Sequence, residues 1–554
     1  MSASSKKKLR KENNAAQITE KQLNEQKEAK KLKTYTLTFV VVMVLVVVLA
    51  LGTLAVTAYM TSGILERGTD AVTIGEHTLT NADLNYFYID TINETYSDWY
   101  SQYGDYTDMY MSWVFGLDVT TPLNEQMYDE EKTFADYFTD LAVADAKSTY
   151  AIYDEAMAKG HTLTDEEKSD VDDTMKSMET YATLYGYSNF KDYLKGVYGH
   201  GAEEETFRNY LDVLAMVQSY QTYYHDSLTY DADALSTYND THFNDFSSFS
   251  YASFHVDSND FLTGGTEDED GNITYSDEEK AAALKAAEEA AKSIVASAAD
   301  TVEKLNTAIA EHEAYKDDSS AESTETEDAI YTGISDEIAE WLADNSRKAG
   351  DLGYMADTVT TTDEEGNETT KTNGYYVVLF LERNDNNNNL VNVRHILTKF
   401  AGGTTNDDGE TVYSDDEKKA AYDKLVALRD EWLAGEATEE SFAALATEKS
   451  DDTGSTKNGG LYEDICPGEM VEEFNDWIFD ASRKTGDYEI VESPYGYHLI
   501  YFVSTDEVTY RNHMIEETLR EDDYEAWYNG IVDAAKVTVL DTSRLELDLV
   551  MSNG

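Results

Sequence analysis

The chain divides first by its pattern of apolar positions. From Leu37 to Met60 it reads as 24 residues without a charge, which as a helix spans roughly 36 Å and is long enough to cross a bilayer. Beyond this run the pattern shortens. Ala71 to Thr80 alternates and predicts a small strand pair, after which Asn81 stands as the N-cap of a helix. Helical spacing then persists to about residue 245. Gly160 closes one helix, Thr164-Asp165-Glu166-Glu167 forms a capping box for the next, and Phe207, Tyr210, Leu211, Leu214 and Val217 recur every three or four residues. The early helices are crowded with Tyr86, Phe87, Tyr88, Trp99, Tyr100, Met109, Met111, Trp113 and Phe115. A client-binding groove would use such rings and flexible methionines, although core packing is their commoner use.

From about residue 246 the chain repeats itself with a period near 136 to 138 residues. Gly264-Gly265 and the run Gly271 to Lys280 match Gly402-Gly403 and the run Gly409 to Lys418, each leading into an alanine-rich helix. Trp341 through Asp351 matches Trp477 through Asp487, and Gly374-Tyr375-Tyr376 matches Gly496-Tyr497-His498. Each copy runs strand, acidic loop, helices, strand, which predicts a small antiparallel sheet covered by helices. Residues 508–554 return to helical spacing through Met514, Leu519, Tyr524, Trp527 and Ile531, then alternate from Val537 to Leu540. This last segment is expected to pack back on the helical region, making the repeats an insertion. The fold class is therefore α+β. Its parts are a basic tail (1–35), a transmembrane helix (36–60), a mainly α-helical domain (70–245), two tandem α/β domains (246–385 and 390–505) and a returning segment (508–554).

Charge orients this plan. The formal charge is -68, and because residues 1–33 carry +6 the remainder carries about -74. Lys30, Lys31 and Lys33 precede the apolar run, so the positive-inside rule places the N-terminus in the cytoplasm and the acidic bulk outside. A cleaved signal peptide is the rival reading, but the preceding tail is long and the apolar run exceeds a usual signal core. Such an acidic surface repels nucleic acid and anionic lipid and attracts basic polypeptides. The one cysteine, Cys466, allows neither an intramolecular disulfide nor a cysteine-based zinc site.

The second copy carries the candidate chemistry. Val393-Arg394-His395-Ile396-Leu397 opens it; Ser450-Asp451-Asp452, Ser455 and Gly459-Gly460-Leu461 follow; then come Gly468-Glu469-Met470 with Phe474, and Ser493-Pro494-Tyr495-Gly496-Tyr497-His498 closes it. Singly, a histidine on a strand is usually structural and an Asp beside Gly and Ser usually forms a turn. The four blocks in order resemble the parvulin (PpiC-type) family of peptidyl-prolyl isomerases. The resemblance implies that His395, Asp452 and His498 are the catalytic residues and that Met470, Phe474 and Leu461 bind the substrate proline. It also implies that neither metal nor cofactor is used. After Gly459-Gly460, Leu461-Tyr462-Glu463 departs from the family's usual acidic-Leu-Gly continuation. In the first copy, alignment offers Phe254 or Asp257 for His395, Ile338 replaces Phe474 and Tyr376 replaces His498, so that copy is expected to keep the fold without the activity.

The overall plan resembles the PrsA/SurA group of bacterial envelope foldases. It implies an extracytoplasmic isomerase and chaperone, held in the cell membrane by one helix, acting on newly secreted or unfolded polypeptides with X-Pro bonds. The alternative is a non-catalytic holdase or scaffold. The acids Asp407, Asp408, Glu410, Asp415, Asp416 and Glu417 follow the first histidine, with only Lys399 nearby, which disfavours phosphorylated substrates. The same loops are faintly like calcium-binding loops, but Thr266 and Thr404 stand where the first Asp ligand belongs, and Asp408-Gly409 reads better as a hairpin turn. No phosphate-binding glycine loop, GxSxG elbow or HExxH helix is present in the sequence.

Overall fold

A computed structural model of the chain describes residues 63–267, 273–362, 367–406 and 411–549. The apolar run Leu37–Met60 and the Asp408-Gly409 turn lie outside them. Among the described residues no helix is long and apolar enough to cross a membrane. The chain forms two compact units, one of residues up to Thr229 together with those from Thr518, the other of Tyr230–Glu517.

The first unit is mainly helical. Its elements are α1 (Ile64–Gly68), β1 (Asp70–Ile74), β2 (His77–Thr80), α2 (Asn81–Tyr103), α3 (Thr107–Val114), α4 (Phe134–Lys159), α5 (Asp165–Leu184), α6 (Phe190–Tyr198) and α7 (Glu204–Ser227). The cap of α2 is Thr80 rather than the expected Asn81. Thr80 Oγ accepts from the Asp83 amide while the Asp83 carboxylate accepts from the Thr80 amide, a reciprocal pair that satisfies two orphan donors. Asn81 instead spends its side-chain amide on the carbonyls of Thr69 and Asp541. Tyr86, Phe87 and Tyr88 are fully buried among Phe138 of α4, Tyr193 and Tyr198 of α6 and Phe207 of α7. Each such side chain contributes about 1.5–3 kcal/mol of burial, which explains three successive aromatics on one helix turn.

The C-terminal residues complete this unit. Val537–Val539 adds a third strand antiparallel to β1, in the order Val537–Val539, β1, β2, with Val72 opposite Val539. Leu545 enters the core, Leu547 and Leu549 pack against it, and their carbonyls accept from the amides of Asn124 and Leu123. Trp527 stacks on Tyr224 of α7 with ring centres 4.0 Å apart.

The second unit holds the two repeats. After α8 (Ala232–Thr241), the first comprises β3 (Ser248–Asp257), α9 (Asp277–Ser297), α10 (Val302–Glu311), β4 (Thr324–Ile330), α11 (Asp336–Leu342), β5 (Leu352–Thr362) and β6 (Glu368–Asn384). The second comprises β7 (Asn389–Lys399), α12 (Asp415–Ala434), α13 (Glu439–Lys449), β8 (Leu461–Ile465), α14 (Glu472–Ile478), β9 (Tyr488–Ser493) and β10 (Gly496–Thr509). Both sheets are antiparallel with the same plan, β4-β3-β6-β5 and β8-β7-β10-β9. Helix α15 (Tyr510–Ala534) follows, and β11 is the strand Val537–Val539.

In the second repeat, alternate residues of the central strands serve two layers. Ile396, Leu499 and Tyr501 meet α12 and α13 on one face, while Val391, Val393, Ile500 and Phe502 meet Phe474, Trp477 and Ile478 of α14 on the other. The acidic loop motif has a structural use in both repeats. Glu417 accepts from the amides of Gly403 and Ser414 at 2.9 and 2.8 Å, and Glu279 accepts from Gly265 and Ser276 at 3.0 and 2.8 Å. One carboxylate thus caps the helix and pins the glycine turn before it. Within this unit Arg511 ties the start, the junction between the repeats and the end together. That guanidinium, in the first turn of α15, donates to Asn239 Oδ1 and to the carbonyls of Phe243, Phe246 and Asp385.

Candidate active site

The site is built on the α14 face of the second sheet, where two central strands each deliver a histidine. On β7, His395 lies opposite Ile500 of β10; His498 lies opposite Leu397. The diagonal offset leaves the imidazoles stacked, 5.3 Å between centres and 14° between planes, with Nδ1 facing Nδ1 at 3.1 Å. Both are buried, at 4% and 7% exposure. Buried imidazoles need partners, and each finds one at its far nitrogen. His395 Nε2 is 2.8 Å from Asp452 Oδ2, and His498 Nε2 is 2.8 Å from Ser493 Oγ.

Asp452 sits in the loop after α13, where Asp452 Oδ1 accepts from the Gly454 amide at 3.1 Å and the Asp452 amide donates to Ser450 Oγ at 3.2 Å. Asp452 Oδ2 also accepts from the hydroxyls of Ser455 and Tyr462. The hydrogen bond with His395, followed by that with Ser455, holds this carboxyl well below the usual carboxylate range. Burial, then the neighbouring His395, pushes His498 down to about 3, so it is neutral at physiological pH. With His395 taken as neutral, one proton order satisfies the whole chain. Ser493 donates to His498 Nε2, His498 Nδ1–H donates to His395 Nδ1, and His395 Nε2–H donates to the ionised Asp452. The result is a closed chain ending on a fixed negative charge.

An apolar wall adjoins it. Phe474, fully buried on α14, meets His395 and His498 edge-on with ring centres 5.8 and 5.4 Å away. Met470, half-buried, packs on the same cluster. Leu461 does not belong here. It lies opposite Arg394 on the neighbouring strand, and residues directly opposite share a face, so Leu461 is on the other side of the sheet from His395. Tyr462, opposite Val393, takes the site face, with its ring 5.0 Å from His395 and its hydroxyl 3.1 Å from Asp452. The signal for Tyr462 was the departure after Gly459-Gly460; period-two alternation from His395 across the strand pair would have selected it over Leu461. Ser455 and Ser493 stood inside the quoted blocks, but no single-residue pattern distinguishes such a serine from a turn former.

Gly460 explains the paired glycines. It has φ +72°, and a Cβ there would lie 2.3 Å from the His395 carbonyl oxygen. Its own carbonyl accepts from the His395 amide at 2.8 Å, so the loop is pressed directly onto the strand that carries the histidine.

The first repeat differs at each corresponding position. Gly374 pairs with Asp257 as Gly496 pairs with Lys399, and counting along the register puts Ser253, neither Phe254 nor Asp257, at the place of His395. Phe254 faces the helix layer beside Val256, and Asp257 sits at the strand end, four residues from the corresponding point. Tyr376 stands at the place of His498 and Ile338 at that of Phe474. A histidine is present two residues along the same face, where His255 Nε2 meets Asp357 Oδ2 at 3.1 Å beside the Tyr376 ring.

With this geometry in view, the comparisons with known proteins are specific for one part of the chain. Residues 375–505 match the family model described as the PPIC-type PPIASE domain. That stretch is a PpiC-type domain. The match begins in the last strand of the first repeat and spans the whole second repeat. A 72-residue stretch is 46% identical to foldase protein PrsA 1 of Listeria innocua, covering 13% of this chain and 24% of that protein. Another of 82 residues is 39% identical to foldase protein PrsA 3 of Bacillus anthracis, covering 14% of this chain and 28% of that protein. The chain thus covers only about a quarter of the length of the curated relatives it matches. The crystal structure of PrsA from Bacillus subtilis overlaps 75% of this chain and 93% of its own at 15% identity, with a TM-score of 0.25. The PpiC domain holds His395, Asp452, His498, Met470 and Phe474 on one sheet face, with Tyr462 in place of Leu461.

Proposed function

We propose that the chain is a peptidyl-prolyl cis-trans isomerase and chaperone that assists the folding of secreted proteins outside the cytoplasm. The observation that carries this reading is the Ser493–His498–His395–Asp452 chain lying against the apolar wall of Phe474 and Met470 within the PpiC domain. Rotation about the X-Pro bond faces a barrier of about 18–20 kcal/mol from amide resonance, and no bond need be made or broken to cross it. A catalyst must hold the twisted amide better than either planar form. In this reading Phe474 and Met470 hold the proline ring. The ionised Asp452, fixed by three side chains, opposes the charge separation of the planar amide, in which the carbonyl oxygen is negative. His498, neutral and buried, keeps His395 oriented toward Asp452. Tyr462 steadies the carboxylate through its hydroxyl.

The same proposal covers what lies around the domain. The apolar run Leu37–Met60 would hold the chain in the membrane as a single span, with the basic tail inside and the acidic units outside. The first repeat would bind or space clients without isomerising them, since Ser253 and Tyr376 replace the stacked histidines. A proline-limited refolding assay on the full chain tests the reading. The wild-type chain is expected to accelerate the slow phase, and His395→Ala or Asp452→Ala to lower that acceleration on the order of tenfold or more. An undiminished slow-phase rate in both variants would reject it.

A further inference from the structure

Nine aromatic and methionine positions crowd the early helices of the first unit, and the structure separates them into two groups. Tyr86, Phe87, Tyr88 and Met111 are buried in the core. The others lie on the last turns of α2 and on and just after α3, where Trp99, Trp113 and Phe115 join Tyr103 and Tyr110 in a continuous run of rings that solvent reaches, with Tyr100 and Met109 exposed on the same two helices. Phe115 lies 3.7 Å from Trp99 between centres, Trp99 lies 6.2 Å from Tyr103, Tyr103 stacks on Tyr110 at 4.4 Å, and Tyr110 reaches Trp113 at 6.5 Å. Trp113 is 80% exposed and Met109 54%. An eight-residue helix that buries only Thr107 and Met111 while presenting Met109, Trp113 and Val114 to water is an expensive arrangement unless another molecule covers it.

The surroundings name that molecule's chemistry. Between Arg67 and Lys132 the chain holds 13 Asp and Glu residues and no Lys or Arg. The two flanking bases are already engaged, Arg67 with Glu203 at 3.3 Å and Lys132 with Asp140 at 2.5 Å. Burial pushes the Asp90 carboxyl among them up to about 7, and the other acids leave this stretch negative with no Lys or Arg of its own to offset them. Aromatic faces reinforce it, because their quadrupoles attract ammonium and guanidinium groups. Anionic lipid and acidic polypeptides are repelled by the same field.

We infer that the aromatic face of α3 with the end of α2 is a docking surface for unfolded client segments in which lysine or arginine alternates with apolar residues. This rests on the foldase reading and adds the class of client and the place where it is held, remote in sequence from the PpiC domain. Apolar side chains lie along Trp113, Met109 and Phe115, while the basic groups sit over ring faces and meet the acidic surround. Met109 supplies the adaptability that binding many sequences demands.

The test uses the full-length chain and two unstructured, proline-free probe peptides with the same apolar residues, one carrying Lys and Arg and the other Glu in their place. Anisotropy should show the basic peptide bound on the order of tenfold or more tighter than the acidic one, with the difference shrinking as salt rises. Met109→Ser with Trp113→Ser should weaken the basic peptide about tenfold and leave isomerisation of a short X-Pro peptide unchanged. Trp113→Lys gives a sign-sensitive second variant, weakening the basic peptide and strengthening the acidic one. His395→Ala should lower isomerisation and leave peptide affinity untouched, whereas a wild-type chain that binds the peptide without isomerising would reject the enzyme reading and keep the docking surface. Equal affinity for both peptides, or no change in the serine and lysine variants with native circular dichroism, overturns the inference. So does a result in which the substitutions alter only self-association in sedimentation, or only binding to zwitterionic vesicles.

Discussion

At Asp452 and His498 the folded protein holds two groups below the pKa values they have in the unfolded chain. His498 is pushed down from its ordinary value by burial, so between about pH 6.5 and 3 the unfolded chain takes up a proton that the folded one refuses. Stability is lost as pH falls through that window, on the order of several kcal/mol at its acid end. The Asp452 carboxyl is held low by His395 and Ser455, so its contribution is present above about pH 4 and lost as pH falls below it. Urea unfolding of the second unit should therefore show a two-limbed acid decline. His498→Gln should remove the upper limb and Asp452→Asn the lower, whereas parallel shifts in both variants would contradict the assignment. Tyr462→Phe, which deletes one hydrogen bond to the carboxylate, should cost about 1 kcal/mol of stabilisation and slow isomerisation about fivefold, read by proline-limited refolding. The blocks around His395, Asp452, Met470, Phe474 and His498 were legible in sequence because their order and spacing carry them. Leu461 was misplaced because face is set by strand register, which only the pairing of Leu461 with Arg394 reveals.

Among the elements, the turn and cap devices offer the clearest tests. Gly460→Ala would combine a left-handed backbone with a Cβ driven toward the His395 carbonyl. It should destabilise the PpiC domain by about 2 kcal/mol or more and lower activity with it, measured by denaturant midpoint and refolding assay together. Ser414→Ala removes one half of the box that starts α12 and should cost about 1 kcal/mol, with little effect on activity because α12 lies on the opposite sheet face from the histidines. The helical region, the repeats and the closing strand were visible in the hydrophobic periods. The first-repeat correspondence was not, since an insertion or deletion of a few residues in a loop shifts an alignment while leaving the strand pairing intact. Ser253 at the place of His395 follows from Gly374 pairing with Asp257 and from nothing local to Ser253. The cap Thr80 was missed beside Asn81 because both are good capping types, and the choice was made by distant partners at Thr69 and Asp541.

Across the whole molecule, the first unit is assembled from both ends of the chain. Asn81 and Asn85 of α2 accept at their side-chain oxygens from the amides of Arg544 and Glu546, and Leu545 fills the core beneath them. Deleting residues 536–554 should leave β1 without its outer strand and open the core, so limited proteolysis should degrade the first unit of the shortened chain while its PpiC domain survives and still accelerates proline-limited refolding. Loss of both at equal rates would show that the two units stand or fall together. A chain made in sequence order must therefore carry an unfinished helical unit until residues 537–549 follow, and the repeats between have time to settle first. Residues 537–549 act as a latch on the unit. Any copy without residues 537–549 presents an open sheet edge and an unfilled core to the proteases of its surroundings, so the unit that bears the aromatic face closes only when these residues are in place.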